Sequence, residues 1–196
     1  VTRFLLVRHG QSEWNASGRW QGQADPPLTD LGRLQAVHAA AGIGMVDAIY
    51  ASTLDRAAET AAIISAELGV GPVLVDEALR ERDAGEFSGL TRAEIDDRYP
   101  GYLANGKRPP GWEPDDELVA RASAVLRGIA TEVGDGDVLV VTHGGVVMAL
   151  EDHLDGGRHR LANLGGRWIA WDGSQLRLGD RILLLEGSEL TIPDQI

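Results

Sequence analysis

Residues 137–142, Asp-Val-Leu-Val-Val-Thr, are an almost unbroken run of β-branched and apolar side chains. A strand with one wet face alternates polar and apolar residues. A continuous run needs apolar cover on both faces, as a central parallel strand flanked by helices has. The rest of the chain supplies the partners. Residues 4–7, 47–51 and 72–75 read as further strands. Thr29 is an N-cap, followed by a helix face of Leu31, Leu34, Val37 and Ala41 that closes at Gly42 and Gly44. Residues 52–68 read as a helix with Ala57, Ala61 and Ile64 on one side and Gly69 as C-cap. Thr91-Arg92-Ala93-Glu94 is a capping box that opens a short helix. Leu118, Ala122, Val125, Leu126, Ile129 and Val133 repeat at helical spacing before Gly134, and residues 144–154 form the last helix. Residues 167–171 and 175–185 predict a hairpin around Asp172-Gly173. Residues 10–28 and 100–114, punctuated by Gly and Pro, read as loops. This order predicts a three-layer α/β/α domain around a mostly parallel sheet, with an antiparallel edge from the hairpin. At 196 residues without an internal repeat, one domain over residues 1–196 is expected.

Two of the strands end alike: FLLVRHG at residues 4–10 and VLVVTHGG at 138–145. Ligands of such sheets bind beyond the carboxyl ends of the strands, so neighbouring strands here put His9 and His143 into one crevice. Alone, His9 is an ordinary strand-end histidine. Arg8 changes that reading. An adjacent cation disfavours imidazolium and keeps the ring neutral, as a nucleophile must be, and a guanidinium matches phosphoryl oxygens. Gly10 lets a ligand approach the backbone. His9 and Glu13 have a spacing that suits two metal ligands on a helix. They follow a strand into a loop, however, and Arg8 opposes a dication, so no metal is expected. Gly42-Ile43-Gly44 ends a helix and is no dinucleotide fingerprint. His38, His153 and His159 read as structural or exposed.

The formal net charge of −12 repels nucleic acid and anionic membranes. A phosphate ester must therefore be attracted by a local Arg/His cluster in a cleft of lower dielectric. The absence of cysteine excludes thiolate catalysis and zinc-thiolate sites. No run of about 18 apolar residues and no N-terminal signal pattern is present, so a cytoplasmic protein is expected. The oligomeric state stays open.

Five blocks carry a resemblance: LLVRHGQSEWN, GRWQGQADPPLTDLGRLQA, YASTLDRAAETA, LRERDAGEFSGLT and VLVVTHGGVV. In order and spacing, from Arg8 to about Val147, they resemble the histidine phosphatase superfamily, the phosphoglycerate mutase-like or RHG family. The resemblance implies that His9 accepts the phosphoryl group as phosphohistidine. It implies that Arg8, Arg56 and His143 surround that group, and that Asn15, Gln21, Gly22 and Gly144 complete the phosphate pocket. Glu81 is implied as the general acid for the leaving oxygen, with no metal cofactor. Trp14 and Trp20 are near enough in sequence to His9 to line the pocket.

Within the family, the mutase pattern carries a tyrosine where this chain has Ala84, and a longer arginine-paired insertion where this chain has only Lys107-Arg108 in a short loop. Glu113 stands in Trp-Glu-Pro where Gly-Glu-Ser is common. A phosphomonoester phosphatase acting on a small phosphorylated metabolite is therefore expected. The alternative is a mutase dependent on 2,3-bisphosphoglycerate. A silent phosphate-binding scaffold on the same fold is a third possibility. The retention of His9, Arg56, Glu81 and His143 speaks against it, because a binding module needs no proton donor.

Overall fold

The computed structural model describes residues 1–193 of the chain. Its strands are β1 (Thr2–Arg8), β2 (Ala48–Ser52), β3 (Val73–Asp76), β4 (Gly136–Thr142), β5 (Gly165–Trp171) and β6 (Leu176–Leu183). They form one sheet in the order β3-β2-β4-β1-β5-β6. The pairs β1–β4, β2–β4 and β2–β3 are parallel, and β1–β5 and β5–β6 are antiparallel. The helices are α1 (Glu13–Ser17), α2 (Asp30–Ile43), α3 (Asp55–Leu68), α4 (Arg92–Arg98), α5 (Asp115–Val133) and α6 (Gly144–His153).

The register explains the continuous apolar runs. Phe4 lies opposite Val138 and Leu5 opposite Leu139, and successive side chains point to opposite faces. Phe4, Leu6, Val138 and Val140 pack with Leu118, Leu126, Val147 and Leu150 of α5 and α6. Leu5, Val7, Leu139 and Val141 pack with Ala36, Ala39, Ala57 and Ile64 of α2 and α3. All eight strand side chains are fully buried. Each contributes about 1.5–3 kcal/mol of burial free energy.

Three local expectations are corrected. On α2, Leu34 and Val37 face solvent at 44% and 38% exposure, while Gly32, Gln35, Ala36, Ala39, Ala40 and Ile43 are buried. The helix presents its small side because it runs close against the loop after β1. A Cβ on Gly32 would lie 2.1 Å from the Gln11 carbonyl oxygen. The third helix begins at Asp55 rather than at residue 52, since Ser52 is still in β2. Within residues 10–28 there is a one-turn helix, α1. Ser12 caps it and Asn15 closes the capping box, an Asn standing where the usual pattern has Glu or Gln.

A smaller apolar cluster joins the two long loops. Trp20, Phe87, Leu90 and Ile95 pack with Tyr99, Tyr102 and Trp112. Trp20 exchanges backbone hydrogen bonds with Gly89 and Leu90 at 2.8 and 2.9 Å. No helix among the described residues is long and apolar enough to cross a membrane.

Candidate active site

Because β1 and β4 are parallel neighbours, Arg8-His9 and His143 leave the sheet side by side. The His9 N–H donates to the Thr142 carbonyl at 3.0 Å, and the two imidazole rings meet edge-on with centroids 5.2 Å apart. The His9 ring has a defined tautomer. Nδ1 lies 2.6 Å from the Gly10 carbonyl oxygen, which can only accept. The proton therefore sits on Nδ1, and Nε2 carries the lone pair. Arg56 Nε–H points at that lone pair from 3.2 Å.

Arg56 is the second residue of α3 and is fully buried. Its terminal nitrogens donate to the carbonyls of Ala24 and Gly22 at 2.6 and 2.8 Å, and Asp25 lies 3.6 Å away. Arg8 donates Nη1 to the Leu161 carbonyl at 2.8 Å. Gly144 opens α6 directly against the Arg8 guanidinium, where a Cβ would come within 3.1 Å of Nη1. His143 Nε2 lies 2.8 Å from the Ser52 hydroxyl. Arg8 Nε and His143 Nδ1 are buried with no hydrogen-bond partner among the described residues. Two partnerless nitrogens on residues at adjacent strand ends suit a phosphoryl group.

Glu81 is buried, and both its oxygens are fixed by backbone donors. Oε1 accepts from Arg82 N–H at 2.7 Å, and Oε2 accepts from Gly145 N–H at 2.9 Å. Position 145 must be glycine for this contact, since a Cβ would stand 2.2 Å from Oε1.

Electrostatics couples these groups. Burial is the main cause that lowers the pKa of Arg8 and Arg56 to about 10, and the Glu81 charge opposes the fall in both. Both guanidinium groups stay charged at neutral pH. Burial, and then Arg56 and Arg8, hold His9 well below the ordinary histidine range. Burial also leads for His143, followed by Arg56, His9 and Arg8. Both imidazoles are neutral at neutral pH. The cation effect expected from Arg8 is present, and desolvation exceeds it.

The other expected positions divide. Asn15 is buried on α1, where its Oδ1 accepts from Ser12 N–H and from Asn163 Nδ2. Gln21 is buried with its Oε1 on the Ser12 hydroxyl. Gly22 contributes its carbonyl to Arg56. Trp20 belongs to the aromatic cluster, in ring contact with Phe87 and Trp112. Glu113 is tied to Arg121 Nε at 2.6 Å and to Asp83 N–H at 3.1 Å. Glu13 is exposed, as are His38, His153 and His159. No group of three or more His, Asp or Glu that could hold a metal ion occurs among the described residues.

Three contributors carry no signal in the sequence. Ser52 orients His143. Asn163 Nδ2 donates to the His9 carbonyl at 3.0 Å. Arg121, on the amphipathic α5, donates to the carbonyls of Ala78, Arg80 and Glu81 and so holds the segment that carries Glu81.

Two histidines and two arginines are gathered at the parallel strand ends, with a buried carboxyl beside them, an arrangement chemically suited to handling a phosphoryl group. The profile of the histidine phosphatase superfamily (branch 1) matches residues 4–168, and the chain belongs to that superfamily. It is 38% identical over 160 residues to a metal-independent phosphoserine phosphatase of Arabidopsis thaliana, covering 76% of this chain and 67% of that one. It is 40% identical over 168 residues to a 2,3-bisphosphoglycerate-dependent phosphoglycerate mutase of Methylobacterium sp., covering 78% and 80%. A mycobacterial glucosyl-3-phosphoglycerate phosphatase solved with VO3 superposes with a TM-score of 0.83 at 30% identity, over 91% of this chain and 98% of that one.

Proposed function

We propose that this protein is a phosphomonoester phosphatase that works without a metal, through a phosphohistidine on His9, on a small phosphorylated metabolite. The observation that carries the reading is the His9 tautomer. A buried neutral ring offers Nε2 as a lone pair to a point flanked by Arg56, Arg8 and His143.

In the first step His9 Nε2 attacks phosphorus, and the bond from phosphorus to the ester oxygen breaks. The Glu81 carboxyl gives its proton to the departing oxygen. Nδ1–H stays on the Gly10 carbonyl and stabilises the positive charge that the ring acquires. In the second step water attacks phosphorus, Glu81 takes the water's proton, and the bond from nitrogen to phosphorus breaks. Inorganic phosphate leaves and neutral His9 is restored. Throughout, negative charge lies on three equatorial oxygens. Donors on Arg8, Arg56, His143 and Asn15 supply the stabilisation, the Arg56 Nε–H passing from the His9 Nε2 lone pair to a phosphoryl oxygen as phosphorus arrives.

The mutase-named relative keeps a second reading in view. Ala84 favours the phosphatase. The resemblance places the mutase tyrosine there, and in this chain the position is a fully buried alanine whose backbone forms a β-bridge with Trp112, with no hydroxyl to hold a phosphoglycerate. Phosphorus NMR on a pool of phosphomonoesters, with 3-phosphoglycerate and catalytic 2,3-bisphosphoglycerate, tests the choice. Growth of inorganic phosphate without 2-phosphoglycerate is expected. Growth of 2-phosphoglycerate at constant total ester would make the protein a mutase.

A further inference from the structure

After β6 the chain returns to the catalytic end of the sheet. Leu185 is buried in the α2/α3 core, and residues 187–191 then lie beside Gln35 and Asn163. This return lies beyond the stretch that the family profile matches. Thr191 makes three polar contacts there. Its carbonyl accepts from Asn163 N–H at 2.9 Å, and its hydroxyl donates to Asn163 Oδ1 at 2.8 Å. The hydroxyl also accepts from Gln35 Nε2 at 2.9 Å, while the same nitrogen donates to the Glu189 carbonyl at 2.6 Å. Gln35 Oε1 in turn accepts from Gln11 N–H at 2.8 Å, in the loop just after His9.

The contact with Thr191 has a consequence at the nucleophile. The Thr191 carbonyl has used the backbone N–H of Asn163, and Asn163 Oδ1 is claimed by the Thr191 hydroxyl. The amide nitrogen must then face the other way. Its two hydrogens go to the His9 carbonyl at 3.0 Å and to Asn15 Oδ1 at 3.1 Å. A flipped amide would aim an acceptor at two acceptors. Asn163 is fully buried, where an unpaired amide or carbonyl is costly. The His9 backbone is thus held at both ends, its N–H by Thr142 and its carbonyl by Asn163.

We propose that Asn163 and Thr191 are positioning residues for phosphoryl transfer, the C-terminal segment fixing the Asn163 amide and the amide fixing the His9 and Asn15 backbone and side chain. This inference rests on the reading of His9 as nucleophile. It adds that Thr191, in a segment beyond the family match, sets the nucleophile's aim through Asn163, which lies within it.

The test uses the full chain with Thr191→Val, which keeps the shape and removes the hydroxyl, and Thr191→Ser, which keeps the hydroxyl. Phosphoenzyme formation is followed by rapid quench, alongside steady-state kcat and KM and the thermal midpoint. Thr191→Val is expected to lower kcat and the phosphorylation rate about tenfold with KM within about twofold, the signature of lost aim rather than lost binding. Thr191→Ser is expected to recover most of that loss. Asn163→Ala is expected to lose about a hundredfold. Should it fail to fold, the threonine pair decides alone. Wild-type kcat in Thr191→Val overturns the inference, as does an equal loss in Thr191→Ser. His9→Ala is measured in parallel. Turnover in that variant would instead overturn the reading of the site, whatever the threonine variants do.

Discussion

Gly145→Ala puts a methyl group where the Glu81 carboxyl now sits. The added carbon would stand 2.2 Å from Oε1 and 3.0 Å from the carboxyl carbon. Restoring an ordinary carbon–oxygen contact of about 3.3 Å moves the carboxyl by roughly 1 Å. Glu81 is only 3% exposed, and its two oxygens are held by Arg82 and Gly145. The group cannot swing aside without losing at least one of these bonds. A displacement of that size costs about a hundredfold in rate, within the span of about 10²–10⁴ that a general acid contributes. The loss should depend on the leaving group. An alkyl phosphate needs the Glu81 proton, and its kcat/KM should fall about a hundredfold. A nitrophenyl phosphate leaves as a stabilised anion, and its kcat/KM should fall less than about tenfold. Overpacking strain of about 1–3 kcal/mol is expected alongside, so the comparison is made below the variant's unfolding midpoint. Equal losses on both substrates, or no loss on either, would refute the assignment of Glu81 as proton donor.

Arg56→Ala should lower kcat by about 10²–10³, because it removes one transition-state donor, and a loss below tenfold would take Arg56 out of the reacting centre. Activity should persist unchanged in a metal chelator, and inactivation reversed by a divalent ion would contradict the metal-free mechanism. Stability should fall as pH drops below about 6.5. His9 and His143 have folded-state pKa values below the unfolded value, so the unfolded chain takes up protons that the folded one refuses. The expected loss is about 1.4 kcal/mol in total for each histidine between pH 7.5 and 5.5, read by urea unfolding, with the slope steepening as pH falls through about 6.5. A flat profile across that range would mean that the rings are not held neutral by burial.

The parts of the fold written in side-chain period were legible in the sequence. The run in β4 announced a doubly covered strand, and the equivalent ending of β1 announced a shared crevice. Both follow from local residues whose environment the sheet dictates. Ordered blocks carried Arg56 and Glu81, which no period reveals. The α2 face differs from the one its apolar spacing predicts because its burial is set by backbone proximity: Gly32 meets the Gln11 carbonyl, and Leu34 and Val37 are left to solvent. Ser52, Arg121 and Asn163 were illegible for a related reason. Each acts through a hydrogen bond to a group 40 or more positions away, and no local pattern marks a residue whose partner is brought near only by the completed sheet.

The central claim is that the phosphoryl group passes through His9. Rapid acid-free quenching of the protein with a turning-over phosphomonoester, followed by peptide mass spectrometry, tests it most directly. The account predicts a base-stable, acid-labile phosphoryl adduct on the peptide that contains His9, absent in His9→Ala. An adduct on another residue, or steady turnover with no adduct on His9 at any quench time, would contradict it.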